Sequence, residues 1–122
     1  MKNESGRALL DQLLTEDLSG VTFVRDYLQL QFNPPPIINV YSTCRVHVGG
    51  SSVAFGEPDF ANRVIGLIGA RVTAVDLPSE QALVITLENG AAIEIPYGEG
   101  SYEGPEAFEF QGRGHHWGVW PG

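Results

Sequence analysis

YLQLQF, residues 27–32, decides the fold. Leu28, Leu30 and Phe32 alternate with Gln29 and Gln31, so an extended chain puts the apolar groups on one face and the amides on the other. A helix would scatter both sets. The segment predicts an antiparallel strand between core and water, with VTFV before it and IINVYSTCRVHV after it as further strands. Asn33-Pro34-Pro35-Pro36 between them reads as a stiff extended turn.

Helix signals flank this meander. Leu9, Leu10, Leu13, Leu14 and Leu18 recur at helical spacing upstream, and Phe60, Val64, Leu67 and Ile68 do so downstream, after the helix-start signal Glu57-Pro58-Asp59. Beyond the second helix, RVTAVDL, ALVITLE and AAIEIPY restore the strand pattern. Asn89-Gly90 joins the last two as a two-residue hairpin that takes positive φ at both central positions.

The halves match residue by residue. An offset of 51 carries Leu9, Leu13, Leu14, Val21, Thr22 and Val24 onto Phe60, Val64, Ile65, Val72, Thr73 and Val75. After one four-residue insertion in DLPSEQ, an offset of 55 carries Leu28, Leu30, Phe32, Ile38 and Val40 onto Leu83, Ile85, Leu87, Ile93 and Ile95. The expectation is a single α+β domain over residues 1–122, built of two α-β-β-β repeats, about 7–48 and 58–97, related by a pseudo-two-fold axis. Their six strands would form a curved antiparallel sheet or a partly closed barrel, with a C-terminal β-hairpin over about 106–120.

That hairpin holds GRGHHWGVW, residues 112–120. Gly112-Arg113-Gly114 supplies turn chemistry, and in the following strand His115, Trp117 and Val119 share one face while His116, Gly118 and Trp120 share the other. Adjacent histidines therefore point apart and cannot grip one ion together. Burial of both rings is the first reading, since large aromatics mostly end up buried; the second puts Trp117 and Val119 in the core and leaves Trp120 on the outer face as an anchor for a partner.

The net charge of −8 is uneven: residues 1–75 balance at −1, and residues 76–122, where Arg113 is the sole base, at −7. Such a field repels phosphate backbones and anionic lipid and steers basic partners inward, so neither nucleic acid nor membrane is expected. Glu99, Glu103 and Glu106, in GEGSYEGPE, form the densest acidic cluster, but they lack the alternating ligand ladder of a calcium loop. With no apolar run of membrane-spanning length, the expectation is a soluble, cytoplasmic protein.

Catalytic chemistry is hard to assemble. Cys44 is the lone cysteine and reads as a small buried hydrophobe; Lys2 is the only lysine and lies at the terminus. No G-x-S-x-G elbow occurs, and Gly49-Gly50-Ser51-Ser52 has no following lysine, so it reads as a loop before the second helix. No catalytic residue, metal or cofactor is assigned.

GVTFVRDYLQLQF, followed downstream by GPEAFEF and a terminal W-G-V-W, resembles a group of small, acidic, uncharacterised bacterial proteins whose closing aromatic strand follows a G-P-E-A turn. The resemblance covers most of the chain from about Leu18 and implies a bacterial, single-domain protein; it carries no activity.

Two functional classes follow. The first is a non-catalytic acidic binding protein, immunity-like or inhibitory toward a basic protein, with Glu99, Glu103, Glu106, Arg113, His116 and Trp120 as its surface. The second is a small-molecule-binding domain with an apolar cavity between the meanders, lined by Leu28, Leu30, Phe32, Leu83, Ile85 and Leu87. Open sheet edges leave room for a homodimer in either case.

Overall fold

The computed structural model describes residues 3–121, with side chains described from Gly6 onward. In chain order its elements are α1 (Asn3–Leu10), β1 (Gly20–Val24), β2 (Tyr27–Gln31), β3 (Ile37–Val40), β4 (Arg45–Val48), β5 (Ser51–Ala54), α2 (Phe60–Ile65), β6 (Val72–Ser79), β7 (Ala82–Leu87), β8 (Ala92–Pro96), β9 (Phe108–Gln111) and β10 (Trp117–Trp120). The class is α+β, dominated by antiparallel sheet.

The predicted meander forms as read. Leu28 and Leu30 of β2 stand opposite Val40 and Ile38 of β3, all buried, while Gln29 and Gln31 face outward. In the second half, Leu83 and Ile85 of β7 stand opposite Ile95 and Ile93 of β8. Each such pair removes two large side chains from water, at about 1.5–3 kcal/mol apiece.

The strands do not make one curved sheet or a partly closed barrel. They form two five-stranded sheets with orders β1-β2-β3-β9-β10 and β5-β4-β8-β7-β6. Neither closes, because β1, β10, β5 and β6 remain as edges. Instead the buried side chains of both sheets merge into one core cluster with those of the helices.

The two strand orders correspond. Each is a three-strand meander extended at its third strand by a hairpin from the other half of the chain: β9–β10 beside β3, and β4–β5 beside β8. Inward, Ile38 and Val40 meet Phe110 and Phe108, and Ile93 meets Val46. The connectors ahead of β1 and β6 also cross: Leu18 N donates to Ala70 O (2.9 Å) and Gly69 N donates to Leu18 O (2.7 Å).

Several expectations shift locally. IINVYSTCRVHV is two strands in different sheets, interrupted at residues 41–44, where Tyr41 N (2.7 Å) and Ser42 N (3.0 Å) both donate to Ala107 O. Gly49-Gly50 is no open loop: with φ of +56° and +85° it makes the tight β4–β5 turn, a conformation glycine adopts without Cβ clash. At Asn89-Gly90 only Gly90 has positive φ; the Asn89 side chain instead accepts from Ala91 N (3.0 Å), which widens the turn. Both helices are shorter than their apolar stripes, and Leu14 and Ile68, beyond their ends, are exposed.

One ring is buried and the other is not, and the faces of β10 are reversed relative to the anchor reading. Trp120 stands opposite Phe108 and is only 8% exposed, whereas Trp117 is 64% exposed. The indole stacks on Phe108 with centroids 4.8 Å apart and planes 9° from parallel. Glycine makes room for it: a Cβ on Gly6 of α1 would lie 3.0 Å from Trp120 Cζ2, and one on Gly118 would lie 3.2 Å from Cζ3. Trp120 is thus a clamp between α1 and the sheet, not a surface anchor.

Replacing Phe108 with alanine should cost about 3–5 kcal/mol in denaturant unfolding, since it leaves a cavity under the indole. Trp117→Ala should change stability by less than about 0.5 kcal/mol.

Candidate functional site

One end of the molecule gathers the β1–β2 turn, residues 41–44, Phe55 and the 97–107 loop between β8 and β9. Pairing dictates this: Val24 lies opposite Tyr27, Arg45 opposite Ala54, Ala82 opposite Pro96, and Val40 opposite Phe108, so all these connections emerge together. Ser101 stiffens the long loop, its N (3.1 Å) and Oγ (2.6 Å) both donating to Gly98 O, while Tyr97 N (2.7 Å) and Gly98 N (3.2 Å) donate to Gln81 O.

Between these segments lies a cleft of about 520 Å³ lined by Asp26, Tyr27, Tyr41, Ser42, Thr43, Phe55, Gly100, Ser101, Tyr102, Glu103 and Gly104. Aromatic rings and two carboxylates share this lining with no basic side chain. Tyr27 and Tyr41 pack with ring centroids 5.1 Å apart, inclined at 57°. Ser42 is 5% exposed, and its buried Oγ has no hydrogen-bond partner. A buried hydroxyl left unpaired costs about 1–3 kcal/mol.

Tyr41 is held from the outer face of the sheet. Its hydroxyl donates to Glu109 Oε1 (3.3 Å), which also accepts from Asn39 Nδ2 (3.3 Å). Asn39 Oδ1 accepts from Gln29 Nε2 (2.9 Å), Gln29 Oε1 from Gln31 Nε2 (2.8 Å), and Gln31 Nε2 also reaches Thr22 Oγ1 (2.8 Å). The wet face of YLQLQF is therefore a ladder that ends by fixing one wall of the cleft. Burial first, and then the Glu109 charge, push the Tyr41 phenol up to about 12.

The sequence-predicted surface splits between the two ends. Glu99, Glu103 and Glu106 lie in the 97–107 loop, and Glu103 lines the cleft. Arg113 and His116 lie at the far end of the β9–β10 hairpin, and Trp120 is buried, so the six do not form one patch. Arg113 is committed within the chain: its Nη1 pairs with Glu16 (2.9 Å), its Nη2 donates to Gln12 O (3.2 Å), and its N donates to Gln12 Oε1 (2.8 Å).

His115 and His116 are exposed beside a second, open cleft of about 790 Å³ that also includes Pro34, Ile37, Gln111 and Trp117. His47 sits in the other sheet, 2.8 Å from Glu94. Among the described residues no three His, Cys, Asp or Glu side chains gather as a metal-ligand set. Leu28, Leu30, Phe32, Leu83, Ile85 and Leu87 are all packed in the core, and none lines either cleft. Cys44 is buried, which pushes its thiol up to about 12. Lys2 lies outside the described residues. No described helix is long and apolar enough to cross a membrane.

No protein-family model matches the chain, and no curated protein or solved structure is significantly similar to it.

Sequence reasoning singled out Glu103 but missed Asp26, Tyr41, Ser42 and Tyr102. Tyr27 and Tyr41 fall on the outward parity of β2 and β3, a signal available in principle. Asp26 directly precedes Tyr27, but nothing local in the sequence sets Tyr102 beside them, because that proximity depends on the hairpin exchange.

A raised tyrosine value ties folding to the neutral phenol. Tyr41's contribution is full below pH 10 and lost as pH rises from 10 to about 12. The difference in phenolate absorbance between the parent chain and Tyr41→Phe should titrate near 12, and Glu109→Gln should lower that midpoint while burial still holds it above 10.

Proposed function

We propose that this chain is a non-catalytic binding protein that docks a basic protein through the acidic end of its sandwich. The observation that carries this reading is the separation of paired from unpaired charge. The described ion pairs join Arg7 to Asp11, His47 to Glu94, Arg63 to Asp59, Arg71 to Asp17 and Arg113 to Glu16. None of them includes Asp26, Glu80, Glu99, Glu103 or Glu106, which sit in connections at the cleft end, where five such carboxylates outnumber the two likewise unpaired bases, Arg25 and Arg45. Carboxylates concentrated this way repel one another, a cost that a basic partner relieves.

The halves are read here as copies of one α-β-β-β unit with its trailing hairpin, on the support of the matching offsets and strand orders. In that reading residues 97–107 correspond to the brief connector at 41–44. The acidic loop is then an elaboration of one copy alone, beyond what closing the fold requires.

The test uses a basic protein captured from bacterial lysate at low salt and then purified. The triple variant Glu99→Gln, Glu103→Gln, Glu106→Gln should slow association about tenfold or more and flatten its dependence on ionic strength. Unchanged association and salt dependence would overturn the docking reading.

A further inference from the structure

We propose that the end cleft is a recognition pocket for an arginine side chain of the partner, its guanidinium received by the rings of Tyr27, Tyr41 and Tyr102 and by the carboxylates of Asp26 and Glu103. This deepens the docking reading above and rests on it.

The chemistry of the lining selects the ligand. Aromatic faces attract a cation through their quadrupoles, most strongly where water is partly excluded, and a planar guanidinium can also stack. Tyr41 is suited to this, since its hydroxyl is already engaged by Glu109 and its ring is fixed against Tyr27. Asp26 and Glu103 come from separate segments, the β1–β2 turn and the 97–107 loop, and both line the cleft, where a fork of N–H donors suits two carboxylates.

Ser42 supplies an observation independent of the acids. Ser42 lines the cleft, and its Oγ lies buried just behind that surface with no partner, although a hydroxyl can accept as well as donate. One guanidinium N–H would satisfy it. An aliphatic side chain would leave Ser42 unpaired and set the carboxylates against apolar surface, and a phosphate or carboxylate ligand would meet two like charges. Lysine offers a compact ammonium with no plane to stack and fewer donors to share among three acceptors. At about 520 Å³ the cleft holds a guanidinium with its methylene stem and leaves its mouth open to the backbone that carries it.

The probe is the blocked tripeptide acetyl-Gly-Arg-Gly-amide, titrated into the full chain and followed by amide chemical shifts in two-dimensional NMR. Its citrulline analogue keeps the shape and removes the charge, and the lysine analogue keeps the charge and removes the plane. The arginine peptide should shift the amides of Tyr27, Ser42, Ser101 and Tyr102 and bind about tenfold tighter than the citrulline peptide, with the lysine peptide between them. Asp26→Asn should weaken the arginine peptide about fivefold. Ser42→Ala, which removes an unpaired hydroxyl and so should not impair folding, should narrow the preference for arginine over citrulline.

Equal binding of arginine and citrulline, shifts confined to residues outside the cleft, or no saturable shift would each overturn the pocket. The two readings fail separately. If the glutamate triple variant loses its partner while the tripeptide ignores the cleft, the pocket falls and acidic docking stands; if the partner is indifferent to the triple variant, docking falls too.

Discussion

The pairing of each meander with a hairpin from the opposite half is the constraint on which the rest of this structure depends. Without β9 and β10, the third strand of the first meander would present an open backbone edge and bare Ile38 and Val40; without β4 and β5, Ile93 and Ile95 would be in the same position. Neither half can finish its sheet or its core alone. Folding must therefore bring together segments some 70 residues apart, as in the pairing of Ile38 with Phe110. Such long-range closure is entropically costly and is repaid only when the whole core forms.

The same exchange builds the cleft. Joining β9 to β3 draws the 97–107 loop across the end of the molecule, where Ala107 O takes the amides of Tyr41 and Ser42 and Ala107 N donates to Trp120 O (2.6 Å). The break at residues 41–44 is thus the shared product of one sheet ending and the other beginning. Backbone satisfaction there is thorough, which makes the unpaired Ser42 hydroxyl stand out. Glu109 contributes from the strand beside it, linking the amide ladder of the outer face to the wall that Tyr41 forms.

Charge follows a matching division. At the end near α1, arginines are spent in bracing the chain: Arg113 ties the hairpin tip to Gln12 and Glu16, and Arg71 meets Asp17. Exposed pairs of this kind add little stability, about 0–1 kcal/mol, but they neutralise one end. At the opposite end Asp26, Glu80, Glu99, Glu103 and Glu106 outnumber Arg25 and Arg45, and no described ion pair joins them.

Alternation and offset were legible without coordinates, because strand period and inward parity are properties of a few consecutive residues. YLQLQF, ALVITLE and the matching positions 28–40 and 83–95 specify two antiparallel meanders and the side chains those meanders bury. The acidity of the 97–107 region was equally plain. The sequence alone did not determine which strands would be neighbours: the exchange of hairpins, the division of IINVYSTCRVHV between two sheets and the burial of Trp120 in place of Trp117 rest on contacts between distant segments. Both faces of HHWGVW are apolar enough to enter a core, so only the register Trp120 to Phe108, with Gly6 and Gly118 yielding space, decided which one did. For the same reason the glutamates could be named in advance, whereas Asp26, the tyrosines and Ser42 became one site only through tertiary pairing.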